Sequence, residues 1–133
     1  MHSQILKQHP EFNAVIHSHG MYTTILVLTG LPFLPLSGES CFCGEMKRIP
    51  YFKAGSQELG IAVADAMHGT HAVLLQNHGV VVASRNLRGA ADLTLIIEEN
   101  AKKIVICHLL GKQPPVLSPE IVEEYRKLGE IRA

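Results

Sequence analysis

The stretch AVIHSHG, residues 14–20, ends a short apolar run with two histidines one residue apart. On a strand, alternate side chains share a face, so His17 and His19 would project to the same side, close enough to share an ion. Zinc and its neighbours accept neutral imidazole nitrogens. The pair alone fits two hydrogen-bonded rings at a strand end equally well. A third histidine shifts the balance. His78 stands in the turn QNHG, straight after the apolar run AVLL. Taken singly it reads as a turn histidine with no ligand. Ends of buried strands are where sites are built on rigid scaffolds, and three histidines there match an open catalytic metal site that keeps a position for water or substrate. Together, His17, His19 and His78 therefore favour a metal.

The other candidates are weaker. His9 precedes a proline and is expected to be exposed. His68 and His71 flank a glycine turn and read as surface residues. His108 lies near a helix end, where a cation suits the dipole, and His2 sits at the start of the chain. Cys41 and Cys43 form a lone C-x-C without the second pair of a structural zinc site, so both are expected to be unligated thiols. There is no GxGxxG, P-loop or GxSxG pattern.

The elements that must hold these residues come from one modest chain. Its 133 residues fit a single domain. A chain of that size buries about two thirds of its unfolded surface. Apolar residues make up 47 % and charged residues 18 %, which excludes disorder. Twelve basic residues balance twelve acidic ones, so no global field draws nucleic acid or an anionic membrane. Eight histidines is a high count for the length, and the three cysteines, with no signal peptide, read as reduced thiols of a cytoplasmic protein. The most apolar window, residues 21–36, is broken by Pro32 and Pro35 and is too short to span a bilayer.

Along the chain, residues 3–9 predict a short helix stopped near Pro10. Residues 13–18 predict the strand carrying His17, and Gly20 permits a change of direction. MYTTILVLTG predicts a helix closed by Gly30, with strand as the competing reading. LPFLPLSGES reads as extended or an edge strand, and CFCGEMKRIPYF as irregular to extended with a turn at Gly44. Ser56 caps a helix with Glu58 in its first turn, Leu59, Val63 and Ala66 or Met67 on one face, and Gly69 at its end. AVLLQNHGVVVAS predicts strand, tight turn and returning strand. A long helix follows over about 87–110, capped by Asn86, and a last one opens at Ser118 and Pro119 with a charged, solvated face. Strands mixed with helices throughout argue α/β layers.

Four stretches then carry a resemblance: HPEFNAVIHSHGMYTTIL, IPYFKAGSQELGIAVADAM, HAVLLQNHGVVVAS and PPVLSPEIVEEYRKLG. Together they resemble the class II aldolase/adducin head family, most closely its L-fuculose-phosphate aldolase branch. The resemblance implies a three-layer α/β/α fold with a mixed, largely antiparallel central sheet. It implies one zinc ion per subunit, held by His17, His19 and His78. It implies a zinc-dependent aldehyde-lyase that splits a ketose 1-phosphate, such as L-fuculose 1-phosphate, into dihydroxyacetone phosphate and an aldehyde. The alternatives are an L-ribulose-5-phosphate 4-epimerase-like activity and a non-catalytic, adducin-head-like association module. A sugar phosphate is the expected partner, with neither nucleic acid nor membrane, and the expected assembly is a homo-oligomer, a tetramer in the family. The family's acidic acid/base residue and its phosphate-binding loops fall upstream of Met1. Residues 1–133 are therefore expected to form a single domain of this family that lacks its N-terminal portion, with no catalytic acid/base assigned. A family tyrosine maps near Leu36, which cannot transfer a proton. Glu11, Glu39 and Glu45 have no pattern tying them to the site and are expected on the solvated surface.

Overall fold

Two adjacent runs, Ala72–Leu75 (β3) and Gly79–Ser84 (β4), are buried along their whole length. That is what valine-rich strands covered on both faces require. The computed structural model describes residues 1–132. In it these two strands form the centre of a four-stranded sheet of order β1-β4-β3-β2. Ala14–Ser18 (β1) pairs antiparallel with β4, β4 pairs antiparallel with β3, and Lys47–Ile49 (β2) runs parallel to β3. The sheet is mixed and largely antiparallel, as the resemblance implied.

The alternation of side chains sorts the core into two halves. Val73, Leu75, Val81 and Ala83 face one way, onto Ile5 of α1 (His2–Gln8) and Leu59 and Val63 of α3 (Gln57–Ala66). Ala72, Leu74, Val80 and Val82 face the other way, onto Val27 of α2 (Met21–Thr29) and Leu93 and Ile97 of α4 (Leu87–Leu109). Helices thus cover both faces of the sheet and complete three layers.

The helix starts follow local rules. Ser56 Oγ accepts from Leu59 N at 3.1 Å and Asn86 Oδ1 from Gly89 N at 2.8 Å. At the far end of α2, Gly30 adopts φ +75°. The Arg48 guanidinium donates there to the carbonyls of Leu26 (3.2 Å) and Leu31 (2.6 Å), placing a cation where the helix carbonyls point. The proline-rich segment after Gly30 joins no ladder; Leu31, Phe33, Leu34 and Leu36 instead pack over Leu26, Ala101, Ile104 and Val105. The last helix, α5 (Pro119–Arg132), lies against the turn Glu39–Cys41, with the Tyr125 and Phe42 rings 6.4 Å apart.

One expectation is corrected. His9 is not exposed but 2 % accessible. Pro10 does end α1, yet the chain turns inward there, and the His9 ring ties off the end of α3: Nε2 lies 2.7 Å from the Ala64 carbonyl. Nδ1 lies 3.2 Å from Glu11 Oε1. Terminal helix carbonyls need donors, and that of Ala64 takes the His9 ring beside Met67 N at 3.2 Å. Cys41 and Cys43 are buried free thiols. Burial pushes the Cys43 thiol up to about 12, so it remains protonated. Among the described residues no helix is long and apolar enough to cross a membrane.

Ile97 is fully buried between α4 and the sheet, whereas Leu95, two residues away, is 66 % accessible. Urea unfolding of Ile97→Ala is expected to show a loss of about 2–5 kcal/mol. Leu95→Ala is expected to stay within about 0.5 kcal/mol of the wild type.

Candidate metal centre

The register of β1 on β4 sets His17 opposite Val81 and Ser18 opposite Val80. The end of β1 and the start of β4 therefore meet at one end of the sheet. His17 is the fourth residue of β1, His19 follows the strand, and His78 precedes β4.

The hairpin QNHG is built for this. Residues 76–78 join paired Leu75 and Gly79. Asn77 takes φ +55°, a left-handed conformation that asparagine tolerates. His78 N donates to the Leu75 carbonyl at 3.1 Å, which fixes the ring's starting point. At Gly79 any Cβ would run into the Ser18 carbonyl and come within 3.0 Å of the His19 ring. Only glycine lets β4 start so close to the end of β1.

The three rings converge. His17 Nε2 lies 2.9 Å from His19 Nε2 and 3.1 Å from His78 Nε2. One nitrogen from each ring lies within 4.8 Å of the others. His17 Nδ1 sits 3.0 Å from the Val80 carbonyl. A carbonyl only accepts, so Nδ1 carries the proton and Nε2 presents a lone pair to the centre. That single in-plane lone pair accepts one hydrogen bond well, yet two imidazoles stand at bonding distance from it. A cation shared by all three nitrogens serves every lone pair, and the Nδ1–carbonyl bond is the outer support that ligating histidines have. The donor set therefore fits a borderline divalent metal with an open position.

Electrostatics agree. Burial holds His17 below the usual histidine range, and the nearby His78 and His19 rings add to this; together they outweigh the Val80 bond, which acts the other way. Burial and the His19 ring lower His78 as well. Both rings resist protonation, which keeps their lone pairs available.

The structure brings together all three histidines of the expected triad. Among the described residues the cluster consists of those histidines alone. Glu11, Glu39 and Glu45 are exposed, as expected. Sequence reasoning missed Glu98. From the middle of α4 its carboxylate accepts from Tyr22 N (2.7 Å), Thr23 N (2.9 Å) and Thr23 Oγ1 (2.5 Å), at the start of α2 just beyond HSHG. The missed signal was Gly20, a helix start with no capping side chain of its own.

The fold is a three-layer α/β domain with three imidazoles gathered at one end of its sheet. Residues 1–105 match the Class II Aldolase and Adducin N-terminal domain, and the chain belongs to that family. It is 38 % identical over 113 residues to a 3-oxo-tetronate 4-phosphate decarboxylase of Pectobacterium atrosepticum, covering 79 % of this chain and 51 % of that one. It is 28 % identical over 139 residues to an L-fuculose phosphate aldolase of Escherichia coli, covering 96 % and 62 %. A solved L-fuculose 1-phosphate aldolase superposes with a TM-score of 0.85 at 29 % identity, over 96 % of this chain and 61 % of that one. The chain spans about half to three fifths of the length of these relatives.

The lowered histidines give a pH signature to the metal-free chain. Unfolded, His17 and His78 take up protons near 6.5, the ordinary histidine value; folded, they do so only at lower pH. Their contribution is fully present above 6.5 and is lost as pH falls from there through the folded values. Urea unfolding at pH 7.5 and 5.5 is expected to show this loss, and His17→Gln is expected to flatten it.

Proposed function

We propose that this chain carries the metal site of a divalent-metal carbon–carbon lyase for a phosphorylated ketose, with one zinc ion per chain on His17, His19 and His78. The observation that carries the reading is the convergence of three Nε2 atoms, 2.9 and 3.1 Å from the central one. A metal bound there supplies Lewis acidity to a ketone oxygen while the neighbouring bond breaks. The protein's own part is to hold three neutral imidazoles. Val80 fixes the His17 tautomer, burial keeps protons off His17 and His78, and Gly79 makes room for the His19 ring.

The two activities named for the relatives share one bond logic. In a ketose 1-phosphate such as L-fuculose 1-phosphate, the bond that breaks joins the carbinol carbon beside the ketone to the next carbon. In 3-oxo-tetronate 4-phosphate the equivalent bond joins that carbinol carbon to a carboxylate. Both cleavages leave an electron pair beside the ketone, and protonation there gives dihydroxyacetone phosphate. The other product is an aldehyde in the first case and carbon dioxide in the second. Aldol cleavage must also remove a hydroxyl proton from the departing fragment; decarboxylation need not. The aldolase reading draws on the fold match and the L-fuculose phosphate aldolase relatives. The decarboxylase reading draws on the 38 % identity to the Pectobacterium enzyme.

Metal analysis of the purified chain is expected to find one zinc-like ion per chain, lost in His78→Ala. A wild type free of metal after zinc loading rejects the reading. Released dihydroxyacetone phosphate, assayed with each substrate, is expected to require the metal, and the substrate that turns over chooses between aldehyde and carbon dioxide release. We further propose that the chain works as a homo-oligomer: β1 pairs only with β4 among the described strands, and Leu109 and Leu110 are 80 % and 69 % accessible. Sedimentation velocity is expected to show an assembly; a monomer at micromolar concentration rejects this part.

A further inference from the structure

We propose that Glu98 is the positioning residue for His19, holding its ring against His17 and His78 through the start of α2. The other two histidines have their own supports. His17 lies inside the β1–β4 ladder with Nδ1 on the Val80 carbonyl. His78 lies in a three-residue connection between paired strands. His19 lies beyond the end of β1 and is exposed, and among the described residues the one hydrogen bond of its ring runs inward, to His17 Nε2. Its position must come from the backbone on either side.

On one side is Ser18, paired with Val80. On the other is Gly20, where α2 begins without a side-chain cap. Glu98 replaces that cap from another helix. Its two oxygens take the amides of Tyr22 and Thr23, and the Thr23 hydroxyl also donates to it. A carboxylate on first-turn amides is favoured by the helix dipole and makes the stronger, charge-assisted kind of hydrogen bond. The fit is close enough that any Cβ at position 20 would collide with the Glu98 carboxylate. Glu98 is itself well seated, because Ile97 and Ala101 beside it on α4 are both fully buried. The carboxylate thus ties the segment carrying His19 to α4, which buries Leu93, Ile97 and Ala101 in the core.

This placement concerns the rings themselves; only its effect on metal affinity rests on the metal-site reading. Glu98→Gln keeps the size but offers one acceptor and one donor where two N–H groups need acceptors. In the metal-free protein, NMR cross-peaks between the His19 ring and those of His17 and His78 (centroids 4.6 and 5.0 Å apart) are expected to vanish in E98Q. The His17–His78 cross-peak, from rings 4.7 Å apart, is expected to remain. Zinc affinity, measured by chelator competition, is expected to fall on the order of 10-fold or more. If E98Q keeps all three cross-peaks and its zinc affinity while only its melting temperature drops, Glu98 is a helix cap and nothing more. If E98Q loses every cross-peak, the decision passes to Gly20→Ala, whose new Cβ must push the Glu98 carboxylate off the α2 amides while leaving residue 98 unchanged. Loss of the two His19 cross-peaks with the His17–His78 cross-peak kept supports the proposal, and retention of all three overturns it. A wild type that binds no zinc but loses the His19 cross-peaks in E98Q keeps this inference and rejects the metal reading.

Discussion

The antiparallel register between β1 and β4 is the constraint on which the site depends. It sets Ser18 against Val80 and His17 against Val81, and so brings two stretches of chain some sixty residues apart to the same end of one sheet. A slip of one residue would turn His17 to the α2/α4 face and move its Nδ1 away from the Val80 carbonyl. The register is hard to slip because β4 is buried on both faces, with Val81 and Ala83 committed to one half of the core and Val80 and Val82 to the other. The packing that stabilises the sheet is therefore the packing that aligns the histidines.

The helical layers complete the geometry in different ways. On one face, α3 is closed by a buried histidine, with His9 Nε2 on the Ala64 carbonyl. On the other, α2 is held at both ends by side chains from elsewhere in the fold: Glu98 at its amide end and Arg48 at its carbonyl end. An anion at the positive end and a cation at the negative end suit the helix dipole. A nine-residue helix is marginal on its own, and these two partners fix where it starts and stops.

Much of this was legible in the sequence because it was written in local patterns. The two apolar runs flanking QNHG, the Ser56 and Asn86 caps and the glycine at position 30 each predict an element that the structure contains. The histidine triad was legible because H-x-H on a strand and a histidine in a tight hairpin are each geometric statements. What stayed hidden depends on partners distant in sequence. Nothing local to His9-Pro10 says that the ring turns inward to a helix end 55 residues away. Nothing local to Glu98 says that it caps a helix 75 residues earlier. Both are hydrogen bonds between elements, and single-element periodicity carries no information about them.

Two of the three site histidines are followed directly by glycine, at His19-Gly20 and His78-Gly79. In each case the space of the missing side chain is filled by something particular: the Glu98 carboxylate in one, the Ser18 carbonyl and the His19 ring in the other. Neither glycine performs chemistry, and the two are fixed in different ways: Gly79 by the Ser18 backbone carbonyl, which any sequence would keep, and Gly20 by the Glu98 side chain. Across descendants of this sequence, position 79 should therefore stay glycine, whereas position 20 should covary with position 98. A lineage that gave up the carboxylate would be free to fill that gap.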